Sequence, residues 1–169
     1  MTTLFFKDCK TLSDVKQTYR DLVKIHHPDK GGDELTMKSI NNEYEKAVKH
    51  IVAGGTLTAE EQEAEILNAE AYKNALNALQ NLLGLVIEVC GGWLWVSGNT
   101  YAHRAAFAAF NAENPNNRFF WASKKKMWYF RAPEYATKGK HKSLDMEQIR
   151  GKYGSQLISG TRPAYQIAS

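Results

Sequence analysis

Cysteine is scarce in this chain, long apolar runs are missing, and no cluster of metal-binding side chains stands out. Cys9 and Cys90 are the only cysteines among 169 residues and lie in different segments. Such a pair supports neither a disulfide framework nor a zinc site, and a reducing compartment is the expectation. No stretch is apolar for long enough to span a membrane, and the N-terminal residues lack the apolar region of a secretory signal. The expected setting is therefore the cytoplasm, without a membrane partner. A phosphate-cradling glycine loop and a recognisable Ser/His or Cys/His arrangement are missing too. His27 and Asp29 are imaginable as an acid–base pair, but a flexible exposed loop is a poor place to tune pKa values. Neither enzymatic activity nor a cofactor is expected.

Charge is unevenly spread behind a formal total of +4. Residues 1–50 carry nine Lys and Arg against eight Asp and Glu, residues 51–90 one against six, and residues 91–169 twelve against four. The basic final part hints at nucleic acid or other anionic partners and says nothing about fold.

What the chain does have is His26-His27-Pro28-Asp29-Lys30 between two segments with helical patterning. Pro28 lacks a backbone donor and pushes His27 out of the α region, so the first helix should stop there. Gly31-Gly32 extend a flexible turn and Asp33 is a good N-cap. A histidine and an aspartate are thus expected on an exposed loop, where binding residues commonly lie. Upstream, Thr11-Leu12-Ser13-Asp14 is a start signal of the capping-box type. Leu12, Val15, Tyr19, Leu22 and His26 follow at helical spacing, while Lys16, Arg20 and Lys24 form a basic stripe beside them. Downstream, Met37, Ile40, Tyr44, Ala47, Val48 and Ile51 give a second apolar face. Such helices joined by a tight loop should pack antiparallel. His26, on the apolar face, is expected to be packed or partly exposed.

Tyr19-Arg20-Asp21-Leu22, His27-Pro28-Asp29-Lys30 and Ile40-Asn41-Asn42-Glu43-Tyr44 together resemble the J-domain, the DnaJ-type module that stimulates ATP hydrolysis by DnaK-type chaperones. The resemblance covers roughly the first third of the chain. It implies a chaperone-binding site of His27, Pro28 and Asp29, with Lys16, Arg20 and Lys24 on the basic helix face. The stretch between Phe5-Phe6 and the loop is several residues shorter than usual, which implies a first helix reduced to a short turn. The plain alternative is a helical hairpin with a proline-terminated helix and a solvated basic face.

Thr58-Ala59-Glu60-Glu61 restarts a helix after Gly54-Gly55, with glutamates suited to its positive end. Apolar residues thicken from Tyr72 to Leu83, so this end should be packed, or else form a dimerisation surface. From Leu85 the period becomes alternating. Gly91-Gly92 is a two-residue hairpin signal that pairs Val89 with Leu94 and Ile87 with Val96. Four aliphatics then share one face, and Glu88, Cys90, Trp93 and Trp95 the other. Asn99 is a candidate cap for an alanine-rich helix through about Ala112. A second hairpin sets Trp121 opposite Trp128 and Phe120 opposite Tyr129, with Lys124, Lys125 and Lys126 near its tip. Residues 139–142 read as a basic linker, Ser143 opens a last short helix through about Lys152, and the chain from about Ser155 should be loosely ordered.

The expected fold class is α+β: a J-domain-like helical hairpin (1–53), an acidic connecting helix (54–84), a Trp-rich ββαββ module (85–135), then a basic linker, short helix and tail (136–169). The whole order, with Trp93-Leu94-Trp95-Val96-Ser97-Gly98 and Lys124-Lys125-Lys126-Met127-Trp128-Tyr129, is similar to J-domain proteins of bacterial and mobile-element type. That similarity supplies an architecture and no activity. Aromatics beside Lys124, Lys125, Lys126, Arg131, Lys138, Lys140 and Lys142 would suit single-stranded nucleic acid, with Trp93 and Trp95 as stacking platforms. The competing readings make the tryptophans core, as small domains require, or a surface for a client or protein partner. The first hypothesis is thus a co-chaperone for a DnaK-type chaperone. The second is a nucleic-acid-binding accessory protein that recruits such a chaperone.

Overall fold

The computed structural model describes residues 4–133 and 143–161; the basic linker at 139–142 and Lys138 lie outside them. Three helices come first: α1 (Leu12–His26), α2 (Glu34–Ala53) and α3 (Ala59–Gln80). Next come β1 (Leu85–Cys90), β2 (Trp93–Gly98), α4 (Arg104–Glu113), β3 (Phe119–Ala122) and β4 (Met127–Arg131). The described chain ends with α5 (Met146–Tyr153) and β5 (Gln156–Ser159). The class is α+β, with one antiparallel sheet in the order β3-β4-β2-β1-β5.

Helix α1 opens on the expected capping box: the Thr11 hydroxyl accepts from Asp14 N–H, and the Asp14 carboxylate accepts from Thr11 N–H. Val15, Tyr19 and Val23 bury one face of it against α2, which answers with Met37, Ile40, Tyr44, Ala47 and Val48. The Tyr19 and Tyr44 rings stack with centres 4.1 Å apart, and the Tyr19 hydroxyl donates to Asn41 Oδ1 at 2.8 Å. Phe6, in a turn ahead of α1, is buried and leans on Tyr44. The described residues ahead of α1 thus form a short turn and no helix. Helix α3 begins solvated behind its Thr58 capping box and buries Ala69, Tyr72, Ala75, Leu76 and Leu79 toward its end. Those residues pack within the chain, joined to α2 by the Lys73–Glu45 ion pair and an Asn41–Asn77 amide contact at 3.2 Å.

Both hairpins adopt the expected registers: Val89 with Leu94, Ile87 with Val96, Phe120 with Tyr129, Trp121 with Trp128. Ile87, Val89, Leu94 and Val96 are all buried, as alternation requires. Helix α4 covers this face through Phe107, which meets Phe119 edge-on at 5.2 Å and lies parallel to Trp128 at 4.7 Å. Each such buried ring stabilises the layer by about 1.5–3 kcal/mol from burial alone.

Three local expectations are corrected. Helix α4 starts at Arg104, not behind Asn99, whose N–H instead bonds to the Gly84 carbonyl and ties the end of β2 to the start of β1. Asp145 rather than Ser143 caps α5, through its own capping box with Gln148. Residues from Ser155 are not a loose tail: Gln156–Ser159 forms β5, the edge strand beside β1. A four-residue strand has little local signal; the ladder on β1 and the burial of Ile158 hold it.

Candidate functional site

The turn between α1 and α2 is ordered by its own backbone. His27 is extended (φ −64°, ψ 139°), as a residue before proline must be, and Pro28–Lys30 form a single 3-10 turn. Lys30 N–H and Gly32 N–H both bond to the His27 carbonyl, and Gly31 N–H to that of Pro28. Gly31 takes φ 75°, and a Cβ on Gly32 would come within 1.8 Å of the His26 carbonyl oxygen. The glycines are thus needed for a close crossing, and the turn is tight rather than flexible.

His27 itself is not exposed. Its side chain is 1% accessible, while Pro28, Asp29 and Lys30 face solvent. Nδ1 accepts a hydrogen bond from Asp29 N–H at 3.3 Å and lies 3.6 Å from an Asp29 carboxylate oxygen. A nitrogen accepting from a backbone donor carries no proton, so the ring is neutral with its hydrogen on Nε2. Burial lowers its pKa, opposed by the Asp29 carboxylate and reinforced by Lys30. The imidazole therefore works as an internal strut that fixes Asp29, and Asp29 is the group offered outward.

The basic stripe is also divided. Lys16 Nζ lies 3.6 Å from Glu65 of α3, and the Arg20 guanidinium donates to the Gly91 carbonyl at 3.3 Å and to Gln17 at 2.9 Å. Lys24 alone of the three is fully exposed. Arg20 thereby ties α1 to the β1–β2 turn. Gln17 and Asp21 continue the contact by bonding to Gln156 of β5. The C-terminal sheet accordingly sits against the helix face that carries the stripe.

On the sheet, Trp93, Trp95, Tyr129 and Phe120 line the face opposite α4, with neighbouring ring centres 5.3–5.8 Å apart. Trp95 is only 4% exposed, and the cations expected to hold phosphates lie over the rings instead: Lys125 Nζ 5.7 Å from Trp95, and the Arg131 guanidinium 5.4 Å from Trp93. Trp93 is half-buried. Lys124 and Lys126 are exposed at the hairpin tip, where Lys126 adopts φ 52°. Trp95 is therefore core, the reading in which a small domain needs its tryptophans inside, and it offers no free ring for stacking.

Sequence reasoning missed two features. Glu88, 2% exposed, accepts from Arg150 Nε at 2.7 Å and Nη2 at 2.8 Å, and also from the Ser155 hydroxyl. This bidentate pair fastens α5 to β1. Burial and the nearby Glu88 carboxylate push the Cys90 thiol up to about 11. The signal was available, since a lone carboxylate in an apolar strand demands a partner. The second is an open groove between α4 and the sheet, about 490 Å³, lined by Arg104, Ala108, Ala112, Pro115, Arg118 and Trp128. Arg104, Ala108, Asn111 and Ala112 recur at helical spacing along one face of α4, a signal the sequence carried, whereas Trp128 joins them only through the fold.

No family model, curated protein or solved structure matches this chain. Among the described residues no helix is long and apolar enough to cross a membrane, and no group of metal-binding side chains converges.

Proposed function

We propose that this chain is a J-domain co-chaperone that docks on a DnaK-type chaperone in the cytoplasm and stimulates its ATPase, without catalysis of its own. One observation carries the reading: His27, Pro28 and Asp29 close a two-helix hairpin as a locked turn, with the imidazole beneath and the Asp29 carboxylate outside. A rigid turn loses little conformational entropy when it docks, which favours recognition of a single exposed carboxylate. Lys24 stands one turn before the loop and supplies an exposed cation for an acidic partner surface. The C-terminal module then serves a client or a second partner.

The test uses a DnaK-type chaperone from the same cell and single-turnover ATP hydrolysis. Asp29→Asn is expected to abolish stimulation while leaving the thermal melt unchanged, because the carboxylate is partly exposed, at 24%. Lys24→Glu should slow association and reduce its salt dependence. Equal stimulation by the wild type and Asp29→Asn would overturn the proposal.

A further inference from the structure

The groove between α4 and the sheet carries chemistry that the chaperone reading does not use. Its two walls end in cations. Arg104, the first residue of α4, lies 4.4 Å over the Tyr101 ring and donates to the Tyr101 carbonyl at 3.1 Å, while Arg118 precedes β3 and is exposed. Between them the lining is mostly apolar, from Ala108, Ala112, Pro115 and Trp128, with the Asn111 amide among them. Neither arginine has an ion-pair partner among the described residues. Glu113 is the single carboxylate on α4 and stands at its far end.

Beside the groove is the most exposed tryptophan among the described residues. Trp121 is 47% exposed and packs edge-to-face on Trp128 with ring centres 5.6 Å apart. It belongs to the same sheet face as Trp128, the α4 side, because the two are directly paired across β3 and β4. Asn111 fastens the start of its strand, two residues earlier: its amide donates to the Phe119 carbonyl at 3.0 Å and accepts from Phe119 N–H at 2.7 Å. Those two bonds satisfy part of the outer edge of β3 and leave the Trp121 ring projecting. Lys124 and Lys126 are exposed in the turn that follows β3.

We infer that this groove and the Trp121 ring form a binding surface for single-stranded nucleic acid. A projecting ring on a fixed strand offers a face to one unpaired base, and the groove arginines, reached across Trp128, meet the adjoining phosphates. Duplex nucleic acid keeps its bases stacked and has no use for that ring. An acidic peptide would engage the arginines and leave Trp121 in water. The surface lies on the opposite side of the sheet from Trp93 and Trp95, where Trp95 is buried and leaves no free ring for a base. This inference does not depend on the chaperone reading.

The full-length chain is titrated against a fluorescein-labelled oligothymidylate, read by anisotropy over a series of salt concentrations. Binding is expected at low salt, with a labelled duplex and poly-glutamate both much weaker. Trp121→Ala should weaken binding roughly tenfold without changing the salt slope. Arg104→Gln combined with Arg118→Gln should flatten the logarithmic salt slope by about 1.4, the effect of two lost phosphate contacts on a single strand. Thermal melts of the variants should stay close to that of the wild type, with at most a small drop for Trp121→Ala, since all three side chains are exposed. Absence of binding overturns the inference. So would poly-glutamate binding as well as the oligonucleotide, or Arg131→Gln weakening binding as much as Trp121→Ala.

Discussion

The helical hairpin and the sheet module treat their most conspicuous side chains alike and expose different ones. In the hairpin, His27 turns inward and Asp29, two residues on, faces water. In the sheet, Trp95 turns inward and Trp121, on the outer strand, faces water. Large or weakly polar rings gain most from burial, so they go to the interior unless the fold runs out of cover. At the hairpin turn, cover comes from the crossing of two helices; at β3, α4 packs on Phe119 and Trp128 and leaves Trp121 uncovered. The side chain that advertises a motif and the side chain that meets a partner are therefore separate residues in both regions.

The sharpest way to break this comparison is truncation of the two tryptophans. Trp95→Ala should cost on the order of 3–5 kcal/mol, read from denaturant unfolding followed by circular dichroism. Trp121→Ala should cost well under that, about 0.5 kcal/mol. Similar losses at both would show that exposure does not separate them. Arg150→Ala should approach the Trp95 effect, about 3 kcal/mol, because it leaves the Glu88 carboxylate buried without its bidentate partner.

At the hairpin the contrast is smaller. His27→Gln should destabilise by about 1–3 kcal/mol, since the acceptor for Asp29 N–H is lost from a buried position. Asp29→Asn should melt as the wild type does, so that the two variants separate the buried ring from the outward carboxylate. A pH series sharpens the same point. Burial lowers the His27 pKa below its usual value, so the unfolded chain takes up this proton at higher pH than the folded one. Its contribution is complete above the unfolded value of about 6.5 and declines as pH falls from there toward the lowered folded value. In His27→Gln that segment of the stability–pH curve should be flatter. An identical curve in the variant would mean the ring titrates as freely folded as unfolded.

The smallest effect concerns the thiols. Cys90 is 2% exposed with its pKa raised to about 11, whereas Cys9 is half-buried near the surface. A thiol reagent at pH 8 should label Cys9 in the native protein and reach Cys90 only on unfolding. Rapid labelling of both would show that the α5 cover over β1 opens readily.

Much of the fold was legible before any coordinates. Period, caps and turn glycines placed both helices of the hairpin, both β-hairpins and their registers, since these depend on residues close in sequence. The helix starts after Asn99 and Ser143 were misplaced for a related reason: several residues there are able to cap, and the choice fell to long-range bonds such as Asn99 N–H to the Gly84 carbonyl. Strand β5 was illegible because Gln156–Ser159 has no pattern apart from its partner β1.

By itself, then, the sequence determined the α+β class, the turn at His27-Pro28-Asp29 and the pairing of the tryptophans, all of which follow from local backbone preference and side-chain alternation. Tertiary structure alone decided that His27 and Trp95 are interior, that Arg20 is bound to Gly91, that Glu88 meets Arg150, and that Arg104, Arg118 and Trp128 line one groove. Burial and charge pairing belong to contacts between residues far apart in the chain, and no local preference encodes which of several exposed-looking side chains another element will cover.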